Sequence, residues 1–156
     1  MKKIFILKGG DDTGKTTKIN EIVDWILTNY TGATSNIKPI NNVDRYGVIQ
    51  INKLVIGFNT AGDNEGEVKK IDYLKGLLNS TERTDNDNDL DIIICACRTR
   101  GKGRKYILNN YNYPNGWLQK FINIEKYAKA DIASQIARDL RKMEELKTWL
   151  TGLEKI

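Results

Sequence analysis

The sequence predicts a single α/β domain over residues 1–156. The expected fold has three layers: a mostly parallel sheet of about five strands, one antiparallel edge strand, and helices on both faces. Three observations point there. Strand-like and helix-like segments alternate from end to end. The first strand runs straight into a glycine-rich turn and then a helix. The length of 156 residues suits one core, since domains span ~100 to 200 residues, and no repeat or linker divides it.

Ile4 to Leu7 is an uninterrupted apolar run, as in a strand covered on both faces. Ile19, Ile22, Val23, Ile26 and Leu27 then recur at helical spacing, which predicts a helix from about Lys15 to Tyr30 with Gly32 as its stop. Gly47 to Ile51 and Leu54 to Asn59 read as strands joined at Asn52-Lys53. So short a connection makes an antiparallel hairpin and puts the antiparallel strand at the sheet edge. Asn64 and Glu67 form a capping pair for a helix carrying Val68, Ile71, Leu74 and Leu78. An acidic loop from Glu82 to Asp91 follows. Its alternating Asp85, Asp87, Asp89 and Asp91 resemble the start of a calcium loop, but Leu90 and Ala96 stand where such a loop needs glycine and glutamate. Ile92 to Cys97 is a further buried strand, Lys102 to Tyr111 a short helix or mobile lid, and Trp117 to Ile124 another strand. Ile132, Ile136, Leu140, Met143, Leu146, Leu150 and Leu153 keep a spacing of three to four, so the chain should close with a long amphipathic helix lying on the sheet.

Composition narrows the chemistry. The chain has no histidine, which removes imidazole as base, nucleophile or metal ligand. Cys95 and Cys97 lie two apart in an apolar run, too close for an ordinary disulfide, and read as reduced core thiols. Lys2 and Lys3 before Ile4 mimic a signal peptide, but the apolar stretch stops at Lys8, short of the ~7 to 15 residues required. Nothing approaches the ~18 apolar residues of a membrane span. The expectation is a cytoplasmic protein without a membrane partner.

The chemistry centres on Gly9-Gly10-Asp11-Asp12-Thr13-Gly14-Lys15-Thr16, a G-x-x-x-x-G-K-[ST] motif between strand and helix. Gly9 and Gly14 permit a loop whose N–H groups turn inward, and the helix adds its positive end at the same point. Lys15 would neutralise the β- and γ-phosphates of a nucleotide, and the Thr16 hydroxyl would ligate Mg²⁺. On these residues the chain resembles the P-loop NTPase superfamily, with its Walker A loop. That resemblance implies binding of ATP or another nucleoside triphosphate with Mg²⁺, through Gly9, Gly10, Asp11, Asp12, Thr13, Gly14, Lys15, Thr16 and Thr17. The same nine residues are similar to the loop of thymidylate kinases, departing at Asp12, where a small residue is usual. Asp44-Arg45-Tyr46 resembles a signature of those kinases, yet it precedes the second strand and is read as coincidence. Asn59-Thr60-Ala61-Gly62-Asp63-Asn64-Glu65 looks like a box of small GTPases, with Asn59 in place of the metal-binding aspartate and no guanine-reading motif downstream. In this turn, at the end of a strand beside the loop, Asp63 or Thr60 could orient water or Mg²⁺.

The formal charge is +5, from 25 basic and 20 acidic residues. Arg98, Arg100, Lys102, Arg104 and Lys105, with no acid among them, equal that whole excess. They follow the Ile92 to Cys97 strand at its carboxyl end, so Arg98 and Arg100 are expected to reach the phosphates and stabilise the charge of phosphoryl transfer. The leading expectation is an ATP-dependent phosphotransferase acting on a small phosphate acceptor. Lys15, Arg98, Arg100, Asp63 and Asp12 are its catalytic candidates, with Asp12 turned toward an acceptor hydroxyl, and Thr16 and Asp63 its metal ligands. A nucleotide-dependent switch is the alternative, and a nucleic-acid-stimulated ATPase ranks third.

Overall fold

The computed structural model describes residues 2–10, 13–78 and 89–150. Most of the expected acidic loop lies outside them, as do Asp11, Asp12 and Leu153. A six-stranded sheet runs through the molecule in the order β2-β3-β4-β5-β1-β6. Its strands are β1 (Lys2–Lys8), β2 (Thr34–Pro39), β3 (Arg45–Ile51), β4 (Leu54–Asn59), β5 (Ile92–Cys97) and β6 (Trp117–Asn123). The helices are α1 (Lys15–Asn29), α2 (Glu65–Val68), α3 (Lys102–Asn110) and α4 (Ile132–Leu150). A 3₁₀ segment, Lys69–Leu77, continues α2.

Alternation along β1 explains the three layers. Phe5 and Leu7 face the core formed with Ile19, Ile22, Val23 and Ile26 of α1 and with Leu146 and Leu150 of α4. Ile4 and Ile6 face the opposite core, with Val68, Ile71, Leu74 and Ile107. Burying each such side chain contributes about 1.5–3 kcal/mol, so β1, apolar on both faces, has to lie inside the sheet. It pairs in parallel with β5 and with β6.

The sheet departs from expectation at its far side. The β3–β4 hairpin forms, with Ile51 opposite Leu54 and Asn52 at φ 53° in the turn. However, β3 is not the edge: β2 pairs antiparallel outside it. Five of the six β2 residues are exposed, so this strand is held by main-chain pairing and left no apolar alternation to read. The antiparallel strand is therefore interior, and its amino end lies level with the carboxyl end of β4, Tyr46 facing Asn59.

Two helical expectations also change. The Asn64–Glu67 cap forms, with Glu67 N–H donating to Asn64 Oδ1 at 2.9 Å, but regular α-helix ends at Val68 and the tighter 3₁₀ segment follows. In α4, Ile132, Ile136 and Leu140 do not lie on the sheet; they are exposed. Arg138 takes the inward position instead. Its guanidinium donates to Glu125 O at 2.7 Å and to Asp139 Oδ1 at 3.0 Å. Asp139 also pairs with Lys18 of α1, a lysine that is 1% exposed. A buried ammonium needs its counter-charge, so this cluster sets how the first half of α4 is turned.

Burial pushes the Asp139 carboxyl up, but hydrogen bonds from Lys18 and Arg138 more than offset it and hold the group below its ordinary value of 3.8. Its stabilisation is thus fully present above pH 3.8 and is lost as pH falls through the lower folded value. Asp139→Asn is expected to cost about 2 kcal/mol in urea unfolding at neutral pH, less than for a fully enclosed pair because Asp139 keeps solvent contact. The gap between variant and wild type should shrink as pH falls below 3.8; a gap indifferent to pH would contradict this assignment.

Candidate functional site

The carboxyl ends of β1, β4 and β5 and the amino end of β3 meet at one edge of the sheet. There β1 passes into the glycine-rich loop and α1. Gly14 is the N-cap, at φ 79°, in the left-handed region that favours glycine. Among the described residues no side chain caps α1, whose first turn holds no acid, so within them the positive end of this 15-residue helix meets no counter-charge. The Lys15 side chain, only 7% exposed, folds back and donates to Gly9 O at 2.7 Å and Gly10 O at 2.8 Å. Thr13 Oγ1 donates to Gly10 O at 2.9 Å. Lysine and threonine thus brace the loop from within.

Among the described residues, the carboxylate bonded to the Thr16 hydroxyl is that of Asp44. Thr16 Oγ1 lies 3.2 Å from Asp44 Oδ1 and 3.3 Å from Thr60 O. Thr60 Oγ1 donates to the same Asp44 oxygen at 2.9 Å and accepts from Arg45 N–H at 3.0 Å. Asn41 Oδ1 receives the Asp44 N–H at 2.7 Å, which fixes the turn before β3. Arg45 reaches α1, with Nε donating to Asn20 Oδ1 at 2.6 Å. Asp44-Arg45, set aside in the sequence as too early in the chain, therefore lies at the site. Antiparallel β3 begins at the edge where its parallel neighbours end, and that reversal is the signal the motif's position obscured.

Asp63 borders the same cavity but faces Arg98 at 3.9 Å, with no hydrogen bond to Thr16 among those of the described residues. The Thr60–Glu65 turn is not next to β1 in the sheet either, because β5 lies between β4 and β1. It reaches the loop by crossing the end of β5 at Gly62, where a Cβ would come within 2.3 Å of Ala96 O and 2.5 Å of Ala96 C. Asn59, fully buried, organises this turn. It accepts from Ala61 N–H at 3.1 Å and donates to Glu67 O at 2.9 Å.

Two adjoining cavities open at this edge. The first, about 540 Å³, is lined by Thr13 to Thr16, Val43, Asp44, Thr60, Gly62, Asp63 and Arg98. The second, about 520 Å³, extends from Gly62 to Gly66 on one side to Arg98, Arg100 and Gly101 to Arg104 on the other. Gly62, Asp63 and Arg98 border both. Of the expected site residues, Thr13, Gly14, Lys15, Thr16, Asp63 and Arg98 line the first cavity, Arg100 lines only the second, Gly9 and Gly10 line neither, and Thr17 is exposed outside both. Asp11 and Asp12 lie outside the described residues. Arg104, which lines the second cavity, has a buried Nε with no hydrogen-bond partner among the described residues.

The segment from Lys102 is a packed helix, not a mobile lid. Ile107 is fully buried, Gly103 lies close against Val68, and the hydroxyls of Tyr106 and Tyr111 both donate to Asp72 of the 3₁₀ segment. Burial, with Asp72 beside it, pushes Tyr106 up to about 12, so both tyrosines keep the protons these bonds require. Cys95 and Cys97 are buried free thiols. Burial pushes Cys97 up to about 11, which makes it a poor nucleophile.

Among the described residues, the oxygens bonded together at Thr16 are its own hydroxyl, a backbone carbonyl, a second hydroxyl and one carboxylate. Such an all-oxygen set matches Mg²⁺, which takes one or two carboxylates and leaves room for phosphate and water. Among the described residues, no group of three or more His, Cys, Asp or Glu gathers to form an all-protein metal cage.

Gly62→Ala is expected to destabilise the protein by about 2 kcal/mol or more in denaturant titration, since the added carbon meets backbone on both sides of a peptide carbonyl. Wild-type stability in that variant would mean the turn does not cross β5 as described. Comparison of the chain with protein-family models, with curated proteins and with solved structures gives no match.

Proposed function

We propose that the protein binds a Mg²⁺–nucleoside triphosphate, ATP on this reading, and transfers its terminal phosphoryl group to a small acceptor. The observation that carries this reading is the convergence of Lys15, Thr16, Asp44 and the uncapped start of α1 on one cavity. N–H groups of the loop and of α1 would receive the phosphate oxygens, and Lys15 would exchange its two loop carbonyls for the β- and γ-phosphates. Thr16 would hold Mg²⁺ directly, with Asp44 fixing the hydroxyl and any metal-bound water; the ion would supply charge neutralisation across the phosphates. Arg98, on the border of both cavities, is suited to meet charge developing on the transferred group.

The second cavity favours an acceptor reaction over simple hydrolysis. Asp63, exposed to both cavities, would orient an acceptor hydroxyl, a role that its 3.9 Å contact with Arg98 supports better than metal ligation. A switch with slow hydrolysis is the second reading. The observation in its favour is the Thr60 carbonyl at 3.3 Å from the Thr16 hydroxyl, which would let the Thr60–Glu65 turn respond to the ligand.

Lys15→Ala is expected to weaken nucleotide binding about 100-fold or more with the fold intact, as loss of a charge-assisted phosphate contact requires. Asp44→Asn should lower Mg²⁺-dependent turnover by about 10- to 100-fold, and Asp63→Asn should affect only the acceptor-stimulated part. ADP release measured across nucleoside, nucleotide and sugar acceptors separates the two readings. A sharp rise with one class supports transfer, and slow acceptor-independent turnover supports the switch. Unchanged nucleotide affinity in Lys15→Ala would remove the basis of both.

A further inference from the structure

The second cavity carries a charge excess that the described residues leave uncompensated. Four basic side chains, Arg98, Arg100, Lys102 and Arg104, line it against two acidic ones, Asp63 and Glu65. Both acids already have a partner, Asp63 in Arg98 at 3.9 Å and Glu65 in Lys69 at 2.8 Å. Among the described residues no carboxylate forms an ion pair with Arg100 or Arg104. The Arg104 guanidinium lies over the Phe121 ring at 5.8 Å, and its buried Nε has no hydrogen-bond partner among those residues. A buried charged donor of this kind calls for an acceptor. The start of α3 is fixed as well, since a Cβ on Gly103 would come within 2.8 Å of Val68. Lys102 and Arg104 therefore stand on a packed helix, already in place for a ligand.

We infer that this cavity holds the phosphate of a small phosphate monoester that is the acceptor, and that a separate hydroxyl of the same molecule receives the phosphoryl group. The excess of two positive charges matches a monoester, which carries close to two negative charges at neutral pH, and guanidinium forks suit its oxygens. Arg100, Lys102 and Arg104 line only the second cavity, whereas Asp63 and Arg98 border both. A phosphate anchored on the first three leaves the rest of the acceptor at that border, toward the first cavity. There Asp63 would repel an attacking phosphate but accept a hydrogen bond from an attacking hydroxyl. The hydroxyl oxygen bonds the γ-phosphorus as the bond from that phosphorus to the β,γ-bridging oxygen breaks. ADP leaves with the electron pair, and the hydroxyl proton passes to Asp63. The anion site stands on the cavity alone, and only its assignment to the acceptor rests on the phosphotransferase reading.

Two-dimensional NMR of the intact protein tests it, with glycerol phosphate, inorganic phosphate and glycerol added separately up to about 50 mM at constant ionic strength. Glycerol phosphate should give saturable shifts of the Gly103 and Arg104 amides and of the Arg104 Nε–H, and glycerol none. Arg100→Gln should weaken that binding about 10-fold; Arg100 is exposed, so the variant should keep its thermal midpoint. Asp63→Asn should leave the affinity within about 2-fold, whereas a phosphate seated at the border would bind about 10-fold more tightly once the carboxylate is gone. Mg²⁺–ATP should shift the Gly14 and Lys15 amides and leave glycerol phosphate bound. The proposal is overturned by an absence of saturable shifts at Gly103 and Arg104, by indifference to Arg100→Gln, by the tighter binding in Asp63→Asn, or by displacement with Mg²⁺–ATP. Inorganic phosphate bound about 10-fold or more tightly than its ester would make this a site for the free ion and overturn it too. Gly14 and Lys15 report the nucleotide separately, so their silence toward Mg²⁺–ATP would overturn the nucleotide reading, and with it the acceptor assignment, while the anion site stood.

Discussion

One carboxylate oxygen joins three parts of the chain that are far apart in sequence. Asp44 Oδ1 accepts from Thr60 at the end of β4 and lies 3.2 Å from Thr16 at the start of α1. Asp44 itself stands just before β3. It adds to the direct contact of the Thr16 hydroxyl with Thr60 O and ties the loop after β1 to the turn after β4 although β5 separates their strands. The bond depends on β3 running against its neighbours, which brings the chain back to the edge where the parallel strands end. It also depends on Gly62, whose missing side chain lets the turn cross β5 in contact with its backbone. Strand direction, one glycine and one carboxylate together form the cavity in which Lys15 and Thr16 meet.

Much of this was legible in the sequence, and the parts that were not have physical causes. The strands β1, β4 and β5 are buried on both faces and read as apolar runs, and α1 shows a clean helical period. The loop and its lysine are local, so spacing alone placed them. In contrast, β2 is a polar strand held by main-chain pairing, a bond that carries no side-chain signal. Asp44 depended on the direction of β3 within the whole sheet, which the hairpin implied but motif order obscured. The period of α4 was read correctly as amphipathic, yet periodicity does not say which side of a helix faces in. That side was decided by the buried ammonium of Lys18 and its need for Asp139, a pairing across more than a hundred positions of sequence. The segment from Lys102 looked mobile because it is glycine-containing and basic, but Asp72 and two tyrosine hydroxyls fasten it.

Charge follows the same geometry. The excess of basic residues is concentrated between Arg98 and Lys105, and the fold divides that segment between the two cavities. Arg98 borders both, Arg100 and Arg104 only the second. On the proposed reading this division separates a donor site built from backbone amides, Lys15 and oxygen ligands from an acceptor site built from cations and Asp63. The absence of histidine is then no obstacle to phosphoryl transfer, which relies on positioning and charge.

Titration calorimetry of the intact protein with ATP and with GTP, each with and without Mg²⁺, tests the central claim most directly. Saturable one-to-one binding of a triphosphate, strengthened by Mg²⁺ and weaker for the corresponding diphosphate, is the expected result. Absence of binding to any triphosphate in the presence of Mg²⁺ would contradict the assignment of this cavity as a nucleotide site.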